Sequence, residues 1–133
     1  MMMLVRTRVC PSEVHGLGVF ADEFILKGTV VWKYDERVDR RYDESHFAAL
    51  PKKDQKRLRP FCYLNPHTRR YIYCGDNARY MNHSEQPNTL NIDYADGVFE
   101  GEVLTIAARD IHPGEEILSD YRSFDADAQN GDI

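Results

Sequence analysis

The sequence predicts a mostly β domain, and three observations carry that expectation. Short runs alternate apolar and polar residues with a period of two, Gly and Pro punctuate the chain between them, and apolar residues at helical spacing are confined to residues 43 to 60. At 133 residues, with 42% hydrophobic and 29% charged side chains, the chain has the size and balance of one folded domain, so residues 1–133 are read as a single unit.

Taken in order, Leu4-Val5-Arg6-Thr7-Arg8-Val9 alternates and reads as a strand, and Gly18-Val19-Phe20-Ala21 begins another after a glycine turn. Thr29 to Tyr34 is a third. In residues 43 to 60, Phe47, Leu50 and Leu58 fall near helical spacing around Pro51, and Asp43 or Ser45 is placed to cap a short helix. Arg69 to Cys74, Thr89 to Tyr94 and Val103 to Ala108 read as strands, with turns at Ala95-Asp96-Gly97 and Pro113-Gly114. The small, acidic stretch from Asp125 to Ile133 is expected to fray unless something holds it.

Composition narrows the function classes. No apolar run approaches the roughly 20 residues of a membrane span, and Arg6 interrupts the apolar start too early for a signal-peptide core, so a soluble, intracellular protein is expected, cytoplasmic or nuclear according to its host. Cys10, Cys62 and Cys74 are too few and too scattered for a disulfide framework or a zinc site, and read as buried thiols. Residues 35 to 70 hold ten Lys or Arg against six Asp or Glu, whereas residues 71 to 133 hold three against thirteen. The acidic half suits a cationic peptide and disfavours nucleic acid as a direct ligand, although an acidic surface also serves solubility alone.

Three blocks hold the chemistry. Gly16-Leu17-Gly18 lets backbone approach a ligand closely, but a strand rather than a helix follows it, which excludes a dinucleotide fingerprint and leaves a plain turn as the alternative. Arg79-Tyr80-Met81-Asn82-His83-Ser84, continuing to Asn88, concentrates donors and acceptors that suit either a polar ligand such as adenine or a buried loop. His15, His46, His67, His83 and His112 do not combine at metal-ligand spacing, so no metal is assigned. Gly114-Glu115-Glu116-Ile117-Leu118-Ser119-Asp120-Tyr121 ends on a tyrosine that by itself is as well explained by core packing.

In this order, the blocks resemble the signatures of the SET-domain protein lysine methyltransferases: Gly-x-Gly-Val-Phe-Ala, then Arg-Phe-x-Asn-His-Ser-x-x-Pro-Asn, then Gly-Glu-Glu-Leu-x-x-Asp-Tyr. The resemblance runs from about residue 5 to residue 121, with residues 35–70 as a variable insert and 122–133 as a tail. It implies short strands in small sheets and a C-terminal pseudoknot that brings Asn82, His83 and Tyr121 together. It implies an enzyme that transfers methyl from S-adenosylmethionine to a lysine side chain of a protein or peptide. By carry-over, Gly16, Leu17, Gly18, Arg79, Tyr80, Asn82, His83 and Tyr121 hold the cofactor, and Tyr121 is catalytic. Tyr73, Ser119 and Phe124 are expected to line the substrate channel, with Phe61 and Tyr71 as further aromatic candidates.

Two departures from the pattern matter. Glu85 stands where many members have a zinc-binding Cys, and no cysteine follows Cys74, so the channel must be completed by Phe124 and the tail or by a second subunit in a homodimer. Ser119 stands where some members carry Tyr or Phe, which predicts room for two or three methyl groups, or for fewer if its hydroxyl holds a water. The rival expectation is a SET-fold binding module that recognises a protein partner without turnover.

Overall fold

The structure is a computed structural model that describes residues 3–93 and 103–129. Among the described residues there are ten strands: β1 (Thr7–Pro11), β2 (Leu17–Ala21), β3 (Val30–Lys33), β4 (Arg40–Asp43), β5 (Cys62–Leu64), β6 (Arg70–Tyr73), β7 (Asn82–His83), β8 (Thr89–Asp93), β9 (Val103–Ala107) and β10 (Leu118–Ser119). Three short helices, α1 (Glu44–Ala48), α2 (Lys52–Leu58) and α3 (Ala126–Gln129), complete it with 3-10 turns at Arg59–Phe61, Asn77–Tyr80 and Tyr121–Ser123. The strands form four small sheets, the antiparallel pair β1–β2, the three-stranded β3–β9–β8 and β4–β6–β5, and the parallel pair β7–β10. No helix among the described residues is long and apolar enough to cross a membrane.

The sheets share one core. Val19 and Ala21 of β2, Val31 and Trp32 of β3, Ile72 of β6 and Ile25, Ile111 and Ile117 from connecting segments are all buried within it. Alternation explains β2, where Val19 and Ala21 point inward. Burying these branched side chains contributes about 2 kcal/mol each, and it holds the sheets at the orientation that builds the site.

Several expectations are corrected. Residues 4 to 6 do not belong to β1: Met3 bridges to Trp32 and the Leu4 N–H donates to the Val31 carbonyl, so the chain start pairs with β3 before crossing to β2. The helical stretch is split, because Pro51 cannot continue α1 and instead starts α2. Asp43 occupies the position before α1 but makes no capping bond through its side chain, and Ser45 lies inside the helix. Strand β4 was not expected, since Arg40-Arg41-Tyr42-Asp43 has no apolar alternation; it forms by pairing with β6. The expected turn at 95–97 lies outside the described residues.

The tail is held as far as residue 129. Ala126 and Ala128 are buried, the Arg59 guanidinium forms an ion pair with Asp127, and the Tyr71 hydroxyl donates to Asp127 Oδ2 at 3.2 Å. The partner that stops fraying is therefore Arg59, 68 residues away in sequence.

Candidate active site

The C-terminal block lies between two of the other motif segments. On one side the Ile117 N–H donates to the Val19 carbonyl at 2.8 Å and the Ala21 N–H to the Glu115 carbonyl at 2.9 Å. On the other, Leu118 and Ser119 pair in parallel with Asn82 and His83, and the Ser84 N–H donates to the Ser119 carbonyl at 3.0 Å. Asn88 locks the crossing: its Oδ1 accepts from the Leu118 N–H and its Nδ2 donates to the Glu116 carbonyl, both at 2.8 Å, while the Thr89 hydroxyl donates to the Leu118 carbonyl. Because Asn88 bridges two consecutive peptide groups of that strand, neither apolar nor charged side chains of similar size reproduce the contact.

A second lock fixes the first motif. The Asn82 side-chain amide donates to the carbonyls of His15 and Leu17 and to Glu116 Oε2, at 3.0, 3.1 and 2.9 Å. The Ser12 hydroxyl donates to the same carboxylate, at 2.7 Å from Oε1. Gly18 lies against it so closely that a Cβ there would stand 2.3 Å from Glu116 Oε2, which is why this strand position is glycine. Gly16 takes the left-handed φ of +46° at the end of the turn. Asn82 thus acts in the site by holding the 15–17 backbone, its amide hydrogens being committed to protein acceptors.

Tyr121 stands where two cavities meet. A large cleft of about 1150 Å³ is bordered by Val14, His15, Gly16, Leu17, Arg79, Tyr80, Asn82, His83 and Tyr121. A small, mostly apolar cavity of about 80 Å³ is bordered by Trp32, Tyr63, Met81, Ser119, Tyr121 and Phe124 among others. The Tyr121 hydroxyl donates to the Met81 carbonyl, and its backbone N–H donates to His83 Nδ1 at 3.0 Å. Asp120 Oδ1 lies 3.7 Å from the same Nδ1.

Burial, reinforced by the nearby carboxylate of Asp125, pushes the Tyr121 phenol up to about 12. The phenol is accordingly protonated throughout the neutral range and cannot serve there as a base. Unfolded tyrosine ionises near 10, so the folded state loses stability as pH rises from about 10 toward 12. Ultraviolet titration at alkaline pH should show the tyrosinate signal of wild type exceeding that of Tyr121→Phe only near the upper end of this range. A difference already present near pH 10 would contradict it.

The expected site residues divide. Gly16, Leu17, Arg79, Tyr80, Asn82, His83 and Tyr121 border the large cleft, whereas Gly18 faces Glu116 behind it. Ser119 and Phe124 border the small cavity with Phe61, while Tyr71 faces the cleft. Tyr73 borders neither; its hydroxyl accepts from Arg79 Nη2 at 3.2 Å, because the alternation of β6 turns it toward the turn at Asn77–Tyr80. The small cavity is bordered instead by Trp32 and Tyr63, packed edge to face at 6.3 Å, with Phe124 against Tyr63 at 5.0 Å. Trp32, Tyr63, Asn91, Thr105 and Asp125 were not anticipated, since none lies in a motif block. Glu85 forms an exposed ion pair with Arg122 at 3.1 Å.

The cleft fits a nucleoside that carries an amino-acid tail. Val14 and Leu17 expose apolar surface, and the Arg79 Nε is buried with no hydrogen-bond partner among the described residues, leaving a donor suited to a carboxylate. The Arg79 guanidinium lies 4.0 Å over the Phe61 ring, which fixes its plane.

The SET domain family model matches residues 16–122. The chain belongs to the SET-domain family. This SET domain is 28% identical over 111 residues to human histone-lysine N-methyltransferase 2D, covering 84% of this chain and 2% of that protein. It is 29% identical over 126 residues to the rat histone-lysine N-methyltransferase SETMAR, covering 86% of this chain and 38% of the relative. The chain therefore spans well under half the length of these curated relatives. A solved structure of active polycomb repressive complex 2 in the basal state superposes with a TM-score of 0.70 at 20% identity, over 88% of this SET domain and 15% of that chain. A humanized mutant of the Chaetomium thermophilum Polycomb Repressive Complex 2 gives 0.68 at 21% identity, over 90% and 15%. At such identities the likeness concerns the fold.

Proposed function

We propose that this SET domain is an S-adenosylmethionine-dependent protein lysine N-methyltransferase. The observation that carries the reading is the position of Tyr121 at the junction of the large cleft and the small aromatic cavity. When bound, the cofactor supplies an electrophilic methyl group on a sulfonium. The cleft residues Gly16, Leu17, Arg79 and His83 hold it from one side, and the target lysine enters through the small cavity from the other, so that both reactants are aligned before reaction. Trp32, Tyr63 and Phe124 exclude water, and desolvation lowers the pKa of the amine so that its lone pair becomes available. The Tyr121 oxygen, with its proton turned to Met81, presents its lone pairs toward the cationic centre and the amine.

Phe124 of the same chain borders the small cavity, which supports completion of the channel by the tail rather than by a second subunit. Substrates are lysine-bearing proteins, drawn in part by the acidic half of the chain. The test is incubation with methyl-labelled cofactor and a proteome extract. Label on protein lysine is expected; a folded, cofactor-binding protein that transfers no label would favour a binding module instead.

Ser119 leaves the cavity floor small and polar: Asn91 Nδ2 donates to its hydroxyl at 2.7 Å, and the Thr105 hydroxyl donates to Asn91 Oδ1 at 2.7 Å. With no bulky ring at position 119, di- or trimethyl-lysine is the expected final product. Mass spectrometry that finds only monomethyl-lysine after exhaustive reaction would refute this.

A further inference from the structure

Asp125 is a charged side chain that the chemistry described so far leaves unused. It is 6% exposed, and it borders both the small cavity and the large cleft. Its backbone N–H donates to the Tyr121 carbonyl at 2.8 Å, so the carboxylate rides on the same turn as the tyrosine. Oδ1 is anchored by the N–H groups of Leu64 and Asp127, at 3.0 and 3.1 Å. No hydrogen bond reaches Oδ2 among the described residues.

The groups around it leave its charge incompletely balanced. Arg59, from the turn after α2, approaches Oδ1 only to 3.8 Å and is closely paired with Asp127 of α3. One guanidinium thus faces two carboxylates. Cys62 of β5 and Tyr121 are both pushed up to about 12 by burial and remain neutral. Burial also raises the Asp125 carboxyl above its ordinary value. A cation entering the small cavity would meet this carboxylate on a lining that also carries Tyr121 and, as its one other charged group among the described residues, Arg79.

We propose that Asp125 is the acidic anchor of the lysine channel, whose Oδ2 receives the target ammonium and takes its proton before methyl transfer. In that step one ammonium N–H bond breaks, its electron pair stays on nitrogen, and an O–H bond forms on Asp125. The two charges disappear together, which an apolar cavity favours over a buried ion pair. The amine then attacks the methyl carbon while the methyl–sulfur bond breaks and its electron pair returns to sulfur, and the proton on Asp125 leaves to solvent through the large cleft that the same residue borders. One proton is released for each methyl transferred.

This inference rests on the lysine methyltransferase reading, and its test separates the two. Asp125→Asn keeps an oxygen for the Leu64 and Asp127 N–H groups, and its melting temperature is measured first. With a peptide bearing the lysine labelled in extract, kcat of the variant should fall about 100-fold at pH 7.5, with the deficit narrowing toward pH 10 as the amine deprotonates without help. Calorimetry in the presence of S-adenosylhomocysteine should show wild type preferring this peptide about tenfold over its norleucine analogue at pH 7.5. That preference should shrink toward pH 5 as the carboxyl protonates, and Asp125→Asn should lack it. An unchanged pH profile and an unchanged lysine preference in the variant would overturn the anchor and leave methyl transfer standing. If the variant does not fold, a wild-type preference independent of pH overturns it equally. Wild type that transfers no methyl to any lysine overturns the underlying reading instead.

Discussion

Replacing Tyr121 by Phe is expected to lower kcat for methyl transfer by about 100- to 1000-fold, or roughly 3 to 4 kcal/mol of barrier. The ring is retained, so its contacts with His83 at 5.2 Å and Phe124 at 5.7 Å persist and both cavities keep their shape. What disappears is the hydroxyl donated to the Met81 carbonyl. Leaving that carbonyl unpaired costs about 1 kcal/mol of stability, far less than the kinetic loss. The separation of the two effects is the diagnostic: kinetics should collapse while melting temperature changes by only a few degrees. A variant within threefold of wild-type kcat would mean that Tyr121 is a packing aromatic.

Asn82→Ala is expected to damage both fold and cleft. Its amide joins the turn at 15–17 to Glu116, and at 8% exposure the residue is largely buried. Removing them strands two carbonyls and loosens the carboxylate that Ser12 still holds. The cost is about 2 to 3 kcal/mol, or near 10 °C in melting temperature, with cofactor affinity reduced because the 15–17 backbone borders the cleft. Asn82→Asp should be worse at pH 8 than at pH 5, since it places a second carboxylate beside Glu116 and the repulsion is relieved when one of the pair takes up a proton. Thermal denaturation at the two pH values checks the sign. Equal stability of both variants with wild type would show that Asn82 bridges nothing of consequence.

The contrast between these residues also explains what was legible in the sequence. Asn82, Asn88 and Tyr121 sit in dense polar blocks whose composition no helix or strand pattern explains, and the reason is visible in the structure: each is bonded across the crossing of β10 with β7 and β2. Glycine at position 18 has the same origin, a close approach by Glu116. Strands β2 and β9 were readable as short runs of β-forming apolar residues, and both carry buried side chains.

Residues outside the blocks were hidden because their roles arise from long-range packing. Trp32 and Tyr63 belong to different sheets, and only the fold brings them to one cavity. Tyr73 was favoured for its place just before the middle block, yet β6 turns its hydroxyl to Arg79 instead. Asp125 begins a stretch whose polarity reads as a loose end. Its burial depends on Leu64 and Arg59, more than 60 residues away, and nothing local signals either partner.

The most direct test of the two-sided site is a crystal structure with S-adenosylhomocysteine and a peptide carrying the labelled lysine. The account predicts the cofactor product in the large cleft against Gly16, Leu17, Arg79 and His83, with its sulfur directed at the Tyr121 hydroxyl. The lysine side chain should reach the same point through the small cavity, passing Trp32, Tyr63 and Phe124. Both ligands on one face, or a lysine bound away from Tyr121, would contradict it.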